Sequence, residues 1–237
     1  MFRHFLVLIL AVLLAACAAQ SPPRIDPLAD LVGNFKVIDS PIKIITEAKT
    51  KSIAIIVSTS AETQIKHREE MNKKYLDGYV RTFESGSYNA VKLQQESVGP
   101  RILVDTVVAA LQQRFKSVNV VADLADFKDG SQELVAIVDL GMEYDSKSNI
   151  SNNSAVFTTE VSLLLLDRQI RKIGLASGKA TENWQQSNAG AIKYLFNPFL
   201  SPPAPDEFMR PIVEAEKKSR ANAFWLLNTS LDKFVKK

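Results

Sequence analysis

The sequence predicts an α+β domain, a mixed and largely antiparallel sheet with helices packed on it, and three observations predict it. Ile53-Ala54-Ile55-Ile56-Val57 is a short unbroken apolar run rich in β-branched residues, which suits a strand covered on both faces. Leu103, Val107, Leu111 and Phe115 recur every fourth residue and so line one side of a helix. Phe157 to Leu166 and Arg171 to Thr181 flank a short polar turn at Asp167 to Ile170, as the arms of a hairpin do.

The remaining elements follow in chain order. Residues 18 to about 35 carry Pro22, Pro23 and Pro27 among small and polar residues, a composition that resists helix and sheet and suits a tether. Val37 to Thr46 suits an edge strand interrupted at Pro41, which has no N–H for a ladder. After the first central strand, Met71, Tyr75, Leu76, Tyr79, Val80 and Phe83 follow a helical period that ends near Gly86. Pro100 suits the first turn of the next helix, with Gln112, Gln113 and Arg114 turned away from its apolar stripe. Val118 to Val121 then reads as a short strand, and Leu134 to Leu140 as a longer one after a turn at Asp129-Gly130. Asp145 to Ser154 is polar and reads as a loop, and Ile173, Leu175 and Ser177 alternate as a half-exposed strand would. Ala221, Phe224, Trp225, Leu227, Leu231 and Phe234 predict a closing helix from about Pro211. An order of strand, helix, helix, strand, strand, hairpin, helix favours an α+β domain with helices on a mixed, largely antiparallel sheet.

The first residues set the compartment. Arg3 and His4 precede an unbroken apolar run from Phe5 to Leu14, and the small pair Ala15, Ala16 follows, the build of an export signal. The run is too short for a bilayer, which needs roughly 20 residues. Leu14-Ala15-Ala16-Cys17 resembles the lipobox of bacterial lipoproteins, which implies cleavage before Cys17 and acylation of that residue. Several acyl chains on one residue meet the requirement for stable anchoring. Ala18 follows the cysteine where Asp would be the usual inner-membrane retention residue, so the resemblance implies the outer membrane, on its periplasmic side. The expected organisation is a signal peptide over 1–16, Cys17 and a tether with an edge strand over 17–50, and the α+β domain over 51–237.

Composition then narrows the chemistry. The whole chain carries a net charge of +3 and is 46% hydrophobic, enough for a core and close enough to balance to give no electrostatic argument for nucleic acid. Cys17 is the single cysteine, so lipidation there leaves no thiol for a disulfide, a nucleophile or a soft metal. Of the two histidines His4 falls in the signal, which leaves His67, set within Lys66-His67-Arg68-Glu69-Glu70 and read as solvated helix surface. Glu69-Glu70, Asp123 with Asp126, and Asp206-Glu207 are the carboxylate groupings, and sequence neighbours rarely face each other across a cleft as acid and base must. Gly174-Leu175-Ala176-Ser177-Gly178 lacks the spacing of a phosphate loop. No enzyme, no cofactor and no metal is expected.

The order of elements carries a resemblance. The lipobox and tether, the strand Ser52 to Val57, the helix running into a strand from Pro100 to Val121, and Leu134 to Tyr144 come first. The hairpin arm Val161-Ser162-Leu163-Leu164-Leu165-Leu166-Asp167 and the closing helix Ala215 to Val235 complete it. Together they resemble the periplasmic lipoprotein domain shared in outline by CsgG, PelC, LpoB and the N-terminal domain of TolB. In those families the hairpin turns on a glycine, whereas Arg168-Gln169-Ile170-Arg171 stand here. The resemblance implies secretion, assembly or envelope-synthesis accessories with no catalytic residues to transfer.

Ala189 to Pro211 differs in kind from the rest. It concentrates Ile192, Tyr194, Leu195, Phe196, Phe199 and Leu200 among Pro198, Pro202, Pro203 and Pro205, which deny regular helix or central strand. Tyr194, Leu195, Phe196, Phe199 and Leu200 are the candidate partner-binding residues, and Cys17 the lipidation site. The expected function is a lipid-anchored, non-enzymatic accessory that docks to an envelope protein. The alternative is an oligomeric structural or pore subunit of an outer-membrane export machine, with copies of the chain as partners.

Overall fold

The computed structural model describes residues 37–80, 98–148, 152–187 and 205–236. Five strands form one sheet in the order β2-β1-β3-β4-β5. The central strand is β1 (Ser52–Val57), the apolar run singled out in the sequence. It pairs in parallel with β2 (Ser117–Val120) on one side and with β3 (Leu134–Ser148) on the other. β4 (Asn152–Asp167) runs antiparallel to β3, and β5 (Lys172–Ser187) antiparallel to β4. The parallel ladders are short and the antiparallel ones run almost the length of their strands, so the sheet is mixed and largely antiparallel, as expected.

Both faces of β1 are covered, which is why it reads as a continuous apolar run rather than an alternating one. On one face Ile53, Ile55, Ala136, Val138, Val161, Leu163 and Leu165 pack under three helices, α1 (Thr59–Val80), α2 (Arg101–Gln112) and α4 (Pro205–Leu231). On the other, Ala54, Ile56, Val135, Ile137, Leu164 and Leu166 meet Leu124 and Phe127 of α3 (Leu124–Asp129). Leu103, Val107, Leu111 and Phe115 are all buried, and the expected stripe of α2 faces the sheet.

Several expectations need correction. Within the stretch expected as a loop, Asp145 to Ser148 and Asn152 to Ser154 are strand: β3 continues to Ser148 and β4 starts at Asn152, so the two strands run far beyond the end of β1. Polar residues there hold strand through ladder pairing, which leaves no apolar signature in the sequence. The first helix starts at Thr59, twelve residues before Met71; its first turns bury Ser60, Ala61, Gln64 and Ile65, two of them polar, and so show no long apolar stripe. Its expected end at Phe83 and Gly86 lies outside the described residues. Asp129-Gly130 ends α3, a helix too short to show a period, whose start is capped by the Asp123 carboxylate accepting from the Ala125 and Asp126 amides.

Arg114 does not face away: it is 9% exposed, and its guanidinium bonds Asp232 Oδ1 at 2.7 Å and the Ala110 carbonyl at 3.0 Å. Ile173 sits at a register shift between Leu165 and Leu166, so the outward alternation holds for Leu175 and Ser177 while Ile173 turns into the core. The closing helix starts at Pro205 with Pro211 inside it. Its inward face is Val213, Glu216, Ser219, Arg220, Ala223, Leu227 and Leu231, so Trp225, 66% exposed, and Ala221 lie outside the stripe they were placed in. Val37 to Thr46 makes isolated bridges instead of a strand, Ile38 to Arg171 and Ile45 to Val235, and Ile45 and Ala48 are buried in the main core.

α4 lies very close on β5. A Cβ added at Gly178 would stand 1.9 Å from the Ala223 carbonyl oxygen and 2.5 Å from the Leu227 amide nitrogen, so only glycine allows this approach. Ser219 reinforces it, with Oγ within hydrogen-bond reach of the Phe157 and Ala180 carbonyls and of Thr159 Oγ1.

Candidate functional site

The residues assigned a role from sequence, Cys17 and Tyr194, Leu195, Phe196, Phe199 and Leu200, lie outside the described residues. What the described structure brings together is a polar cluster between α1, α4 and the upper parts of β3 and β4.

Its centre is Glu216, one turn before Arg220 on the inward face of α4. Arg220 Nη2 donates to Glu216 Oε1 at 2.5 Å, and Arg68 Nη2, from α1, donates to Glu216 Oε2 at 2.6 Å. Arg220 Nη1 reaches the Gly99 carbonyl at 3.0 Å, just before α2, so α1 and α4 meet at the Glu216 carboxylate and Arg220 extends the network to the segment leading into α2. Burial pushes the Arg220 guanidinium below its ordinary pKa; Glu216 opposes this and Arg68 adds to it. Arg220 Nε has no hydrogen-bond partner. Arg68 also stands over the Tyr144 ring, 5.9 Å from its centroid, and Tyr144 packs on Phe157 with centroids 5.0 Å apart.

Arg68 and Glu216 line a cleft with Gln64, His67, Met71 and Tyr144. Its volume is about 40 Å³, room for a few waters. His67 is half-buried in this wall, which corrects its reading as plain helix surface. The chemistry available is charge pairing and packing: the arginines are held by Glu216, and an arginine is not a base in water.

The carboxylate groupings are placed separately. Glu69 accepts from Arg101 at 3.2 Å, Asp123 caps α3, and Asp206-Glu207 lie in the first turn of α4. A pairing with no sequence signature is Ser58 with Asp139: Ser58 Oγ donates to Asp139 Oδ1 at 2.7 Å and accepts from the Ala61 amide at 2.9 Å, tying the start of α1 to β3. Both residues are buried, and an 81-residue separation hides them from any local pattern. Among the described residues no group of three or more His, Cys, Asp or Glu is placed to hold a metal, and no helix is long and apolar enough to cross a membrane.

No family model and no curated protein matches this chain. Among solved structures it is similar to a minor lipoprotein from Acinetobacter baumannii, with 9% identity, a TM-score of 0.33, and coverage of 79% of this chain and 96% of that one. A neuraminyllactose-binding hemagglutinin homologue from Helicobacter pylori shows 11% identity, a TM-score of 0.30 and coverage of 82% and 90%. A DUF330 protein from Xanthomonas campestris shows 7% identity, a TM-score of 0.24 and coverage of 84% and 98%. At TM-scores this low the likeness carries no inference about fold or role.

Proposed function

We propose that this chain is a lipid-anchored envelope protein, held by acyl chains on Cys17 at the periplasmic side of the outer membrane, that works without catalysis by docking to another envelope protein. The observation that carries the reading is Leu14-Ala15-Ala16-Cys17, which sets the single cysteine of the chain directly behind an apolar run too short to span a bilayer.

The described fold supports docking in its own way. The Glu216 cluster ties helices together around a cleft with room for a few waters. Above the end of β1 the β3-β4-β5 sheet has a polar face, with Thr158 hydrogen-bonded to Thr181 and Lys179 paired to Glu160, and no described strand pairs with the outer edge of β5 past Ile173. A long strand edge is a template for an added strand. The same edge favours the second reading, an oligomeric structural or pore subunit in which a second copy supplies that strand. Crosslinking in intact cells with sizing of the purified protein separates the two. A docking module is captured with a different envelope protein and elutes as a monomer or dimer, whereas a ring subunit crosslinks to itself and elutes as a large oligomer.

A further inference from the structure

We propose that the lower end of the domain, where β1 and β3 begin, is a membrane-facing surface that rests on anionic lipid headgroups. Backbone hydrogen bonds assemble it from distant parts of the chain. Lys172 N donates to the Ile38 carbonyl at 2.9 Å, Lys43 N to the Ile173 carbonyl at 3.1 Å, and Lys236 N to the Ile45 carbonyl at 3.1 Å. The segment 38–45 is thereby laid along the start of β5 and the end of the chain.

Its side chains are unusual for a surface with no role. Ile42 is 72% exposed and Ile38 and Ile44 are each 50% exposed, an isoleucine set left in solvent on one short segment. Lys43 stands between two of them, and Lys233 and Lys236 are exposed on the segment bridged to Ile45. Lys49 and Lys116 are exposed at the same end, where Lys116 N bonds the Lys51 carbonyl at 2.9 Å; exposed acids at this end include Asp39, Glu47, Glu133, which pairs with Lys51, and Asp232, which pairs with Arg114. Apolar side chains framed by lysines match a bilayer interface, in which branched alkyl groups enter the headgroup layer while ammonium groups meet lipid phosphates.

The chain also enters the described fold at this end. Cys17 stands 20 positions before Val37, and Val37 leads directly into this end, so an anchor at Cys17 pulls the fold toward the bilayer by the edge that carries the isoleucines and lysines. This argument rests on the anchored reading, but the surface can be tested without it. Both cores are built among residues 37–236, so a chain starting at Ala18 contains every described element and has no acylation site.

That chain is sedimented with vesicles of phosphatidylcholine alone and of phosphatidylcholine with phosphatidylglycerol. It should bind the second kind, weaken with salt, and bind the first little. Replacing Lys43, Lys233 and Lys236 with Gln should weaken binding roughly fivefold per lysine, on the order of a hundredfold together. The same number of charges removed from the other end, at Lys66, Lys73 and Lys218, should leave it nearly unchanged. Ile42→Ser with Ile44→Ser should weaken it further, with an unchanged melting curve for every variant because all these side chains are exposed. No binding to anionic vesicles, or equal loss from the two lysine sets, would overturn the proposal. A failure of acylation at Cys17 would leave this result standing, and the reverse holds too.

Discussion

At the scale of single residues, the cluster at Glu216 is where a polar side chain matters to stability through burial and pairing together. Two guanidiniums share one carboxylate that is nearly removed from solvent, so deleting the carboxylate leaves two cations facing each other. Glu216→Leu should therefore cost about 3 to 5 kcal/mol, read by denaturant unfolding. Lys217→Ala, one position away on an exposed pair with Glu214, should cost well under about 1 kcal/mol. Ile170 makes the opposite case. It holds φ 61°, the left-handed region that a β-branched residue rarely enters, at the turn between β4 and β5. The Asp167 carboxylate accepts from the Gln169 and Arg171 amides and shapes the turn, and the Ile170 side chain is buried in the second core. Ile170→Gly removes strain of roughly 1 kcal/mol but loses burial of about 2 to 5 kcal/mol, so the net effect should be destabilisation. A gain in melting temperature would show that strain outweighs packing there.

At the scale of elements, what the sequence showed depended on whether burial left a periodic apolar trace. β1 and the stripe of α2 left one and were placed correctly. Leu111→Ala should cost about 2 to 5 kcal/mol and Gln112→Ala little, since one is buried and the other exposed. The inward face of α4 left a poor trace because Glu216, Ser219 and Arg220 occupy core positions, and exposed Trp225 drew the stripe to the wrong side. The upper hairpin left none, since Ser146, Lys147 and Ser148 and their partners Ser154 and Asn153 are polar and still pair in the ladder. α3 spans six residues, shorter than two helical turns, and Ser58 with Asp139 meets only through the fold. The contact of α4 with β5 did have a sequence signal, glycine at 178 and small residues at 219 and 223, but its meaning requires the pairing. Gly178→Ala should cost about 3 kcal/mol or more by thermal unfolding, because the new methyl group meets backbone that cannot swing aside.

At the scale of the whole molecule, the sheet has two unlike ends. The lower end gathers the segment 37–51, the start of β5 and the chain's last described residues, while the upper end is a three-stranded hairpin sheet braced by α1 and α4. An anchored protein lying on its lower end would hold the upper sheet away from the bilayer, where a partner can reach it. The proposed partner contact at Tyr194 to Leu200 falls between the end of β5 and the start of α4, the two elements that border that upper region. Phe196→Ala or Phe199→Ala should weaken partner capture by roughly 1 to 4 kcal/mol with a nearly unchanged melting point. A lowered melting point with normal capture per folded molecule would make those aromatics core instead. The measurement that bears most directly on the central claim is labelled palmitate uptake in cells expressing the natural chain or Cys17→Ser. The natural chain should take up label and shorten by 16 residues, while the variant should take up none and keep its precursor length. Equal labelling of the two would contradict the account.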